Sequence, residues 1–212
     1  MFHTDRVSES DFNTILAILR RGGVIGFPTD TAYGLGADPF NEAAIDRIFR
    51  IKQRPETKPV LLLVDSIDMA ESISRPTIAF HQVVERFWPG PLTVVLPAAQ
   101  SISDKVTAGT KTIGIRWPVA EFATSLVGRF GKPITATSAN RSTMPGAVTF
   151  EEVRNQLGPS LDALIDGGVL PARRGSSLLD LTSDPPVLLR EGPISFESLH
   201  EFFGGNIRRQ VA

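Results

Sequence analysis

The sequence predicts a single α/β domain, a twisted mixed sheet with flanking helices. Three observations lead there. Short apolar runs at residues 24–27, 60–64 and 93–96 suit buried strands, and segments of helical spacing stand between them. Late in the chain, runs at 161–165, 177–181 and 187–190 lie close together, which adds antiparallel pairing. No repeat, low-complexity tract or Pro/Ser linker divides the 212 residues, so they read as one domain over residues 8–204 with a frayed tail at 205–212.

Taken in order, Phe12, Ile15, Leu16 and Leu19 recur at helical spacing, with Ser10 as the cap and Gly22 and Gly23 as the stop. The strand at 24–27 closes at Pro28 and opens into Thr29, Asp30, Thr31 and Tyr33, interrupted by Gly34 and Gly36. Small hydroxyl side chains beside glycines leave backbone N–H groups open to an anion. A helix capped by Asn41 puts Ile45, Ile48 and Phe49 on one face and runs into Lys52, Arg54 and Lys58, where Pro55 and Pro59 stop it. Three cations so close repel one another unless solvent or an anion separates them; a solvated basic turn and an anion site fit equally.

Residues 60–64 are continuous enough for a central strand, 65–88 read as helices broken near Pro76, and the turn after Trp88 leads to a strand at 93–96. The polar stretch at 100–110 is a lid candidate by composition. Residues 112–116 alternate as a strand ending in Arg116. Phe122, Ser125, Leu126 and Phe130 suit a helix, 133–137 a strand, and Thr149 with Glu152 a capping box for a helix through Leu157. A helix over 195–203 closes the chain.

Composition excludes several classes. Hydrophobic residues make up 42% and the net charge is −1, so there is no global pull toward nucleic acid or membrane. The chain lacks cysteine, which removes disulfides and thiolate chemistry, and His3, His81 and His200 are too scattered for a metal site. No apolar run approaches the ~20 residues of a membrane span and no signal peptide is visible, so a cytoplasmic protein is expected.

Polar groups recur just past strand ends, where α/β sheets hold ligands. They are Thr29 to Tyr33, Arg116, Ser138 and Asn140 in TATSAN, Ser176 with Ser177, and Arg190 in LREG. Each alone also suits a surface arginine or a turn former. Together they offer cations and hydroxyls with no His or Cys beside them, which disfavours a nucleophile–base pair and favours holding anions, as in phosphoryl or nucleotidyl transfer. Neither a P-loop nor G-x-G-x-x-G follows a strand.

In this order and at these separations, FPTDTAYGLG, KQRP, TSAN and LREG resemble the YrdC-like family of threonylcarbamoyl-AMP synthases, bacterial single-domain type, from about Gly22 to Gly192. The resemblance implies an α/β fold around a large basic cavity. It also implies a reaction in which L-threonine, bicarbonate and ATP give threonylcarbamoyl-AMP and pyrophosphate, with Mg2+ accompanying ATP. The product then serves a separate transferase complex that makes threonylcarbamoyladenosine in tRNA. By resemblance, Thr31, Arg116, Ala136 and Ser176 form the threonine site. Lys52 and Arg54 are the catalytic K-x-R pair, and Arg54, Lys58, Thr112, Ser138, Asn140, Gly146 and Arg190 meet ATP. Two positions depart from the pattern: Leu63 stands where some relatives have His, and Gly146 where many have a hydroxyl residue. The chain stops too soon after Phe203 for the extra domain of longer synthases. Two rival readings remain, a module binding tRNA, double-stranded RNA or a ribosomal precursor through the same cavity, and a carbamoyl-adenylate enzyme of different substrate.

Overall fold

The computed structural model describes residues 2–53, 58–142, 144–171 and 175–210. After β1 (Phe2–His3) and a 3-10 turn at Thr4–Arg6 come α1 (Glu9–Arg20), β2 (Ile25–Pro28), β3 (Tyr33–Gly36) and α2 (Glu42–Lys52). Next are β4 (Leu62–Leu63), α3 (Ile67–Ser72), α4 (Ile78–Phe87), β5 (Leu92–Pro97), α5 (Asp104–Thr107), β6 (Thr112–Arg116) and α6 (Glu121–Phe130). The chain closes with β7 (Ile134–Thr135), β8 (Thr137–Ser138), α7 (Phe150–Leu157), β9 (Ala163–Asp166), β10 (Ser177–Asp180), β11 (Val187–Arg190), α8 (Phe196–Phe202) and β12 (Arg208–Arg209).

The mixed α/β character is as expected, but the strands divide between two sheets. The first runs β1-β9-β2-β3-β8 and the second β12-β11-β10-β5-β6-β4-β7. Their link is the stretch expected as one strand at 133–137. It gives β7 to the second sheet, antiparallel to β4, and β8 to the first, antiparallel to β3. Ala136 is the joint, and its N–H donates to the Leu61 carbonyl at 2.9 Å. Beside it the buried Thr135 hydroxyl accepts from the Ala37 N–H and donates to the Leu35 carbonyl, both at 2.9 Å. One hydroxyl thus ties the edge strand of one sheet to the end of β3 in the other.

Apolar residues fill three clusters around this joint. Leu62, Val94, Leu96, Ile115 and Leu179 of the second sheet pack with Phe80, Val84 and Leu199 of the helices on one side. Phe12, Ile15 and Leu19 of α1 meet Ile25, Phe27, Leu126 and Ile134. Tyr33, Leu35, Ile48, Phe150 and Val153 form the third.

Local chemistry explains most boundaries. Asn41 caps α2 by accepting from Ala44 N–H, and Thr149 and Glu152 make the expected capping box. The cap of α1 is Ser8, not Ser10: Ser8 and Asp11 satisfy each other's backbone N–H groups, which leaves Ser10 inside the first turn. Two other expectations are corrected. The stretch at 100–110 does not line the cavity described below and is tied down: Val106 is buried, its carbonyl accepts from Val60 N–H, and Lys105 pairs with Asp46 at 2.7 Å. The tail is also held, because Ile207 is buried and Arg208–Arg209 pairs in parallel with Val187 and Leu188; Val211 and Ala212 lie outside the described residues.

Replacing Thr135 with the isosteric valine leaves the Ala37 N–H buried without an acceptor. Thr135→Val is expected to cost about 1–3 kcal/mol, read as a lower urea midpoint with an unchanged slope.

Candidate active site

One face of the second sheet is the floor of a cavity of about 530 Å³, and the two-residue period of its strands chooses the lining. Thr93 and Val95 of β5, Thr112, Gly114 and Arg116 of β6, and Leu178 and Asp180 of β10 face the cavity. Their neighbours Leu92, Val94, Ile113, Ile115 and Leu179 are buried. The facing wall comes from the other sheet: Thr29, Ala32, Tyr33 and Gly34 on one side, Thr137 and Ser138 on the other, with Ala136 at the joint. Thr112 and Arg116 lie four residues apart on one strand, so the floor is about 13 Å long between them.

Arg116 dominates one end. Its guanidinium is buried, and its bonds go to two segments distant in sequence: Nε donates to the Gly90 carbonyl at 3.1 Å, Nη1 to Thr31 Oγ1 at 2.7 Å, and Nη2 to Asp30 Oδ1. Burial lowers its proton affinity, and the nearby positive charge of Arg190 adds to that, while Asp30 opposes both. Three of its five N–H groups are taken, which leaves one on each terminal nitrogen without a protein partner among the described residues.

Arg190 lines the cavity from β11. Its Nε and Nη2 both donate to the Ser176 carbonyl, at 3.1 and 2.9 Å, and burial of part of the group lowers its proton affinity. The Ser176 hydroxyl is 2.6 Å from Thr93 Oγ1, a buried pair at the cavity wall. Two glycines permit this crowding. Gly175 has φ +69°, and a Cβ on Gly192 would fall 2.6 Å from Ser177 N and 2.7 Å from Gly175 O.

Of the residues singled out from sequence, Lys58, Thr112, Arg116, Ala136, Ser138, Ser176 and Arg190 line this cavity. Thr31 stands just behind, bonded to Arg116. Lys52 and Asn140 are buried outside the lining and serve the wall from behind: Lys52 Nζ donates to the Ser138 and Asn140 carbonyls, the latter at 2.9 Å. The Asn140 amide closes the following turn on the Arg141 and Met144 carbonyls. Gly146 is not among the lining residues, and Arg54 lies outside the described residues. Leu63 does line the cavity, in register beside Arg116. Sequence reasoning missed Asp30 as the partner of Arg116 and Thr93 as the partner of Ser176. A polar Thr93 alternating with buried Leu92 and Val94 was a usable signal; nothing local pointed from Asp30 to a residue 86 positions away.

The fold and this cavity define a class: an α/β domain with a cationic, hydroxyl-rich hollow on a sheet face, suited to small anionic ligands. The sequence profile of the Sua5–YciO–YrdC family, described as telomere recombination, matches residues 17–192, and the chain belongs to that family. It is 35% identical over 202 residues to a threonylcarbamoyl-AMP synthase of Pyrococcus abyssi, covering 94% of this chain and 59% of that protein, so the chain spans under two thirds of that relative's length. A threonylcarbamoyl-AMP synthase of Vibrio vulnificus is 34% identical, covering 86% of this chain and 99% of its own. The structure of P. abyssi Sua5 complexed with L-threonine superposes with a TM-score of 0.90 at 34% identity, over 98% of this chain and 61% of that one.

Tyr33 is the chain's one tyrosine, and its buried hydroxyl accepts from Gly167 N–H and donates to the Gly168 carbonyl. Desolvation raises its pKa to about 12. Because the folded value exceeds the unfolded one near 10, the stabilisation is complete below about pH 10 and is lost as pH rises toward 12. Ultraviolet titration of tyrosinate is expected to show a single midpoint near 12 in buffer and near 10 in urea.

Proposed function

We propose that the chain synthesises threonylcarbamoyl-AMP from L-threonine, bicarbonate and ATP, releasing pyrophosphate, as the first step of threonylcarbamoyladenosine formation in tRNA. The observation that carries this reading is the pair of guanidinium groups, Arg116 buried and Arg190 open, on a cavity whose described lining holds one carboxylate, Asp180. An excess of fixed cations in a concave site favours anions. The threonine named in the P. abyssi complex supports the amino acid as one of them.

In this reading the threonine carboxylate binds Arg116, held in orientation by Thr31, and the Ser176 hydroxyl, aligned by Thr93, meets the same substrate. The threonine ammonium gives up a proton to solvent, and the free amine adds to carbon dioxide with loss of a second proton, or to bicarbonate with loss of water. The carbamate oxygen then attacks the α-phosphorus of ATP as the bond to pyrophosphate breaks. Lys58 and Arg190 offset the charge that grows on the phosphates and leaving group, together with Arg54. Lys52 acts through the wall, since its ammonium braces the Ser138 and Asn140 carbonyls rather than standing in the lining. Magnesium arrives with the nucleotide. Asp180 Oδ1 accepts from the Thr182 N–H and hydroxyl, and among the described residues no three or more His, Cys, Asp or Glu side chains are grouped as metal ligands. The product passes to a transferase complex. No helix among the described residues is long and apolar enough to cross a membrane, and the reading places the enzyme in the cytoplasm.

The purified protein with magnesium-ATP and bicarbonate is expected to release pyrophosphate only when L-threonine is present, with alanine inactive. Release independent of threonine, or none at all, would reject the reaction. Arg116→Lys is expected to raise the threonine KM by about tenfold to a hundredfold, the loss of a charged hydrogen-bond pair; unchanged threonine saturation would reject that assignment. Arg190→Ala is expected to raise the ATP KM instead and, because it also removes the two donors to the Ser176 carbonyl, to lower the thermal midpoint modestly.

A further inference from the structure

Arg116 has a carboxylate partner before any substrate arrives, and that partner has a free oxygen. Asp30 Oδ1 takes the bond from Arg116 Nη2, while Oδ2 accepts nothing from the described residues; like Thr31, Asp30 stands behind the cavity lining and reaches the site beside Arg116. The two side chains are 5% and 13% exposed, so the pair sits where charges interact more strongly than in water. A substrate carboxylate bound to the two remaining N–H groups of Arg116 would therefore lie close to a second carboxylate. For a simple carboxylic acid two carboxylates would share the Arg116 guanidinium, and they repel each other in a half-dry site even with Arg190 as the next cation. For an α-amino acid the sum changes. Its ammonium stands one carbon from its carboxylate and brings the positive charge that the second anion needs.

We propose that Asp30 and Arg116 together form a zwitterion reader, with Arg116 binding the α-carboxylate and Asp30 Oδ2 the α-ammonium. Asp30 thereby admits α-amino acids and turns away carboxylic acids of the same shape that have no amine. The site combines attraction and exclusion in one residue, which is how discrimination between near-isosteric ligands is strengthened. The inference rests on the threonine reading above, and it adds a residue and a selection rule to it. Thr29 fixes the loop that positions Asp30: its hydroxyl accepts from the N–H groups of Thr31 and Ala32 and donates to the Ala32 carbonyl at 2.7 Å. The carboxylate is thus delivered by a rigid turn.

The test compares L-threonine with 3-hydroxybutyrate, which is threonine without its amino group. Pyrophosphate release is measured for the wild type, Asp30→Asn and Asp30→Glu, with the thermal midpoint of each recorded. Asp30→Asn keeps an oxygen for Arg116 and removes only the charge. It is expected to raise the threonine KM about tenfold or more while leaving the ATP KM unchanged, and to lower the 3-hydroxybutyrate inhibition constant, so that the ratio of the two shifts toward the simple acid. Asp30→Glu, with the charge restored, is expected to keep the wild-type ratio. A ratio unchanged in Asp30→Asn overturns the proposal, as does a threonine KM and an ATP KM that rise together with a fallen midpoint, which would mark a structural ion pair. If the wild type itself shows no dependence on threonine, the reading of the reaction fails and the reader fails with it; a threonine-dependent wild type with an unmoved ratio removes the reader alone.

Discussion

Everything about the site depends on one extended segment that belongs to two sheets. Residues 134–138 leave the second sheet as β7 and enter the first as β8, with a single residue, Ala136, between them. A strand cannot satisfy its backbone groups in two directions at once, so the joint needs acceptors and donors from elsewhere. Leu61 supplies one, and the Thr135 hydroxyl supplies two more to Ala37 and Leu35. The hollow opens beside this joint, with Ala136, Thr137 and Ser138 in its lining. Floor and wall are therefore set by backbone pairing, and the side chains that line them are positioned on rigid strands.

Within that frame, the placement of charge follows from the cost of burying it. A buried guanidinium without partners would be untenable, and Arg116 is satisfied by two segments that meet it only in the folded chain. Gly90 comes from the turn before β5, Thr31 and Asp30 from the loop after β2. The lysine at the end of α2 plays a comparable part on the opposite wall. Its stem is buried and its ammonium satisfies carbonyls of the Ser138–Asn140 turn, which fixes the shape of a wall that must present Ser138. In both places a cation is used to hold the chain still, and the cavity-lining face is what remains open.

Much of this was legible beforehand, and the reason is local chemistry. The capping box at Thr149 and Glu152, the Asn41 cap and the alternating run at residues 112–116 each depend on neighbours within four positions. The same alternation puts Thr112 and Arg116 on one face, so that two of the proposed ligand contacts follow from a period of two. The tail and the stretch at 100–110 were misread for the converse reason. Their order comes from β11 and from α2 and Val60, parts of the chain outside their own segments, while their own composition is polar.

The sequence by itself determined the helices, most strands, the mixed α/β class and a set of cations and hydroxyls at strand ends. Those properties follow from propensity, periodicity and capping, which act over a few residues. Only the tertiary structure decided that the strands form two sheets, that Lys52 faces a carbonyl wall, and that Asp30 meets Arg116 across 86 positions. Such pairings depend on which surfaces burial brings together, and no local pattern encodes the partner.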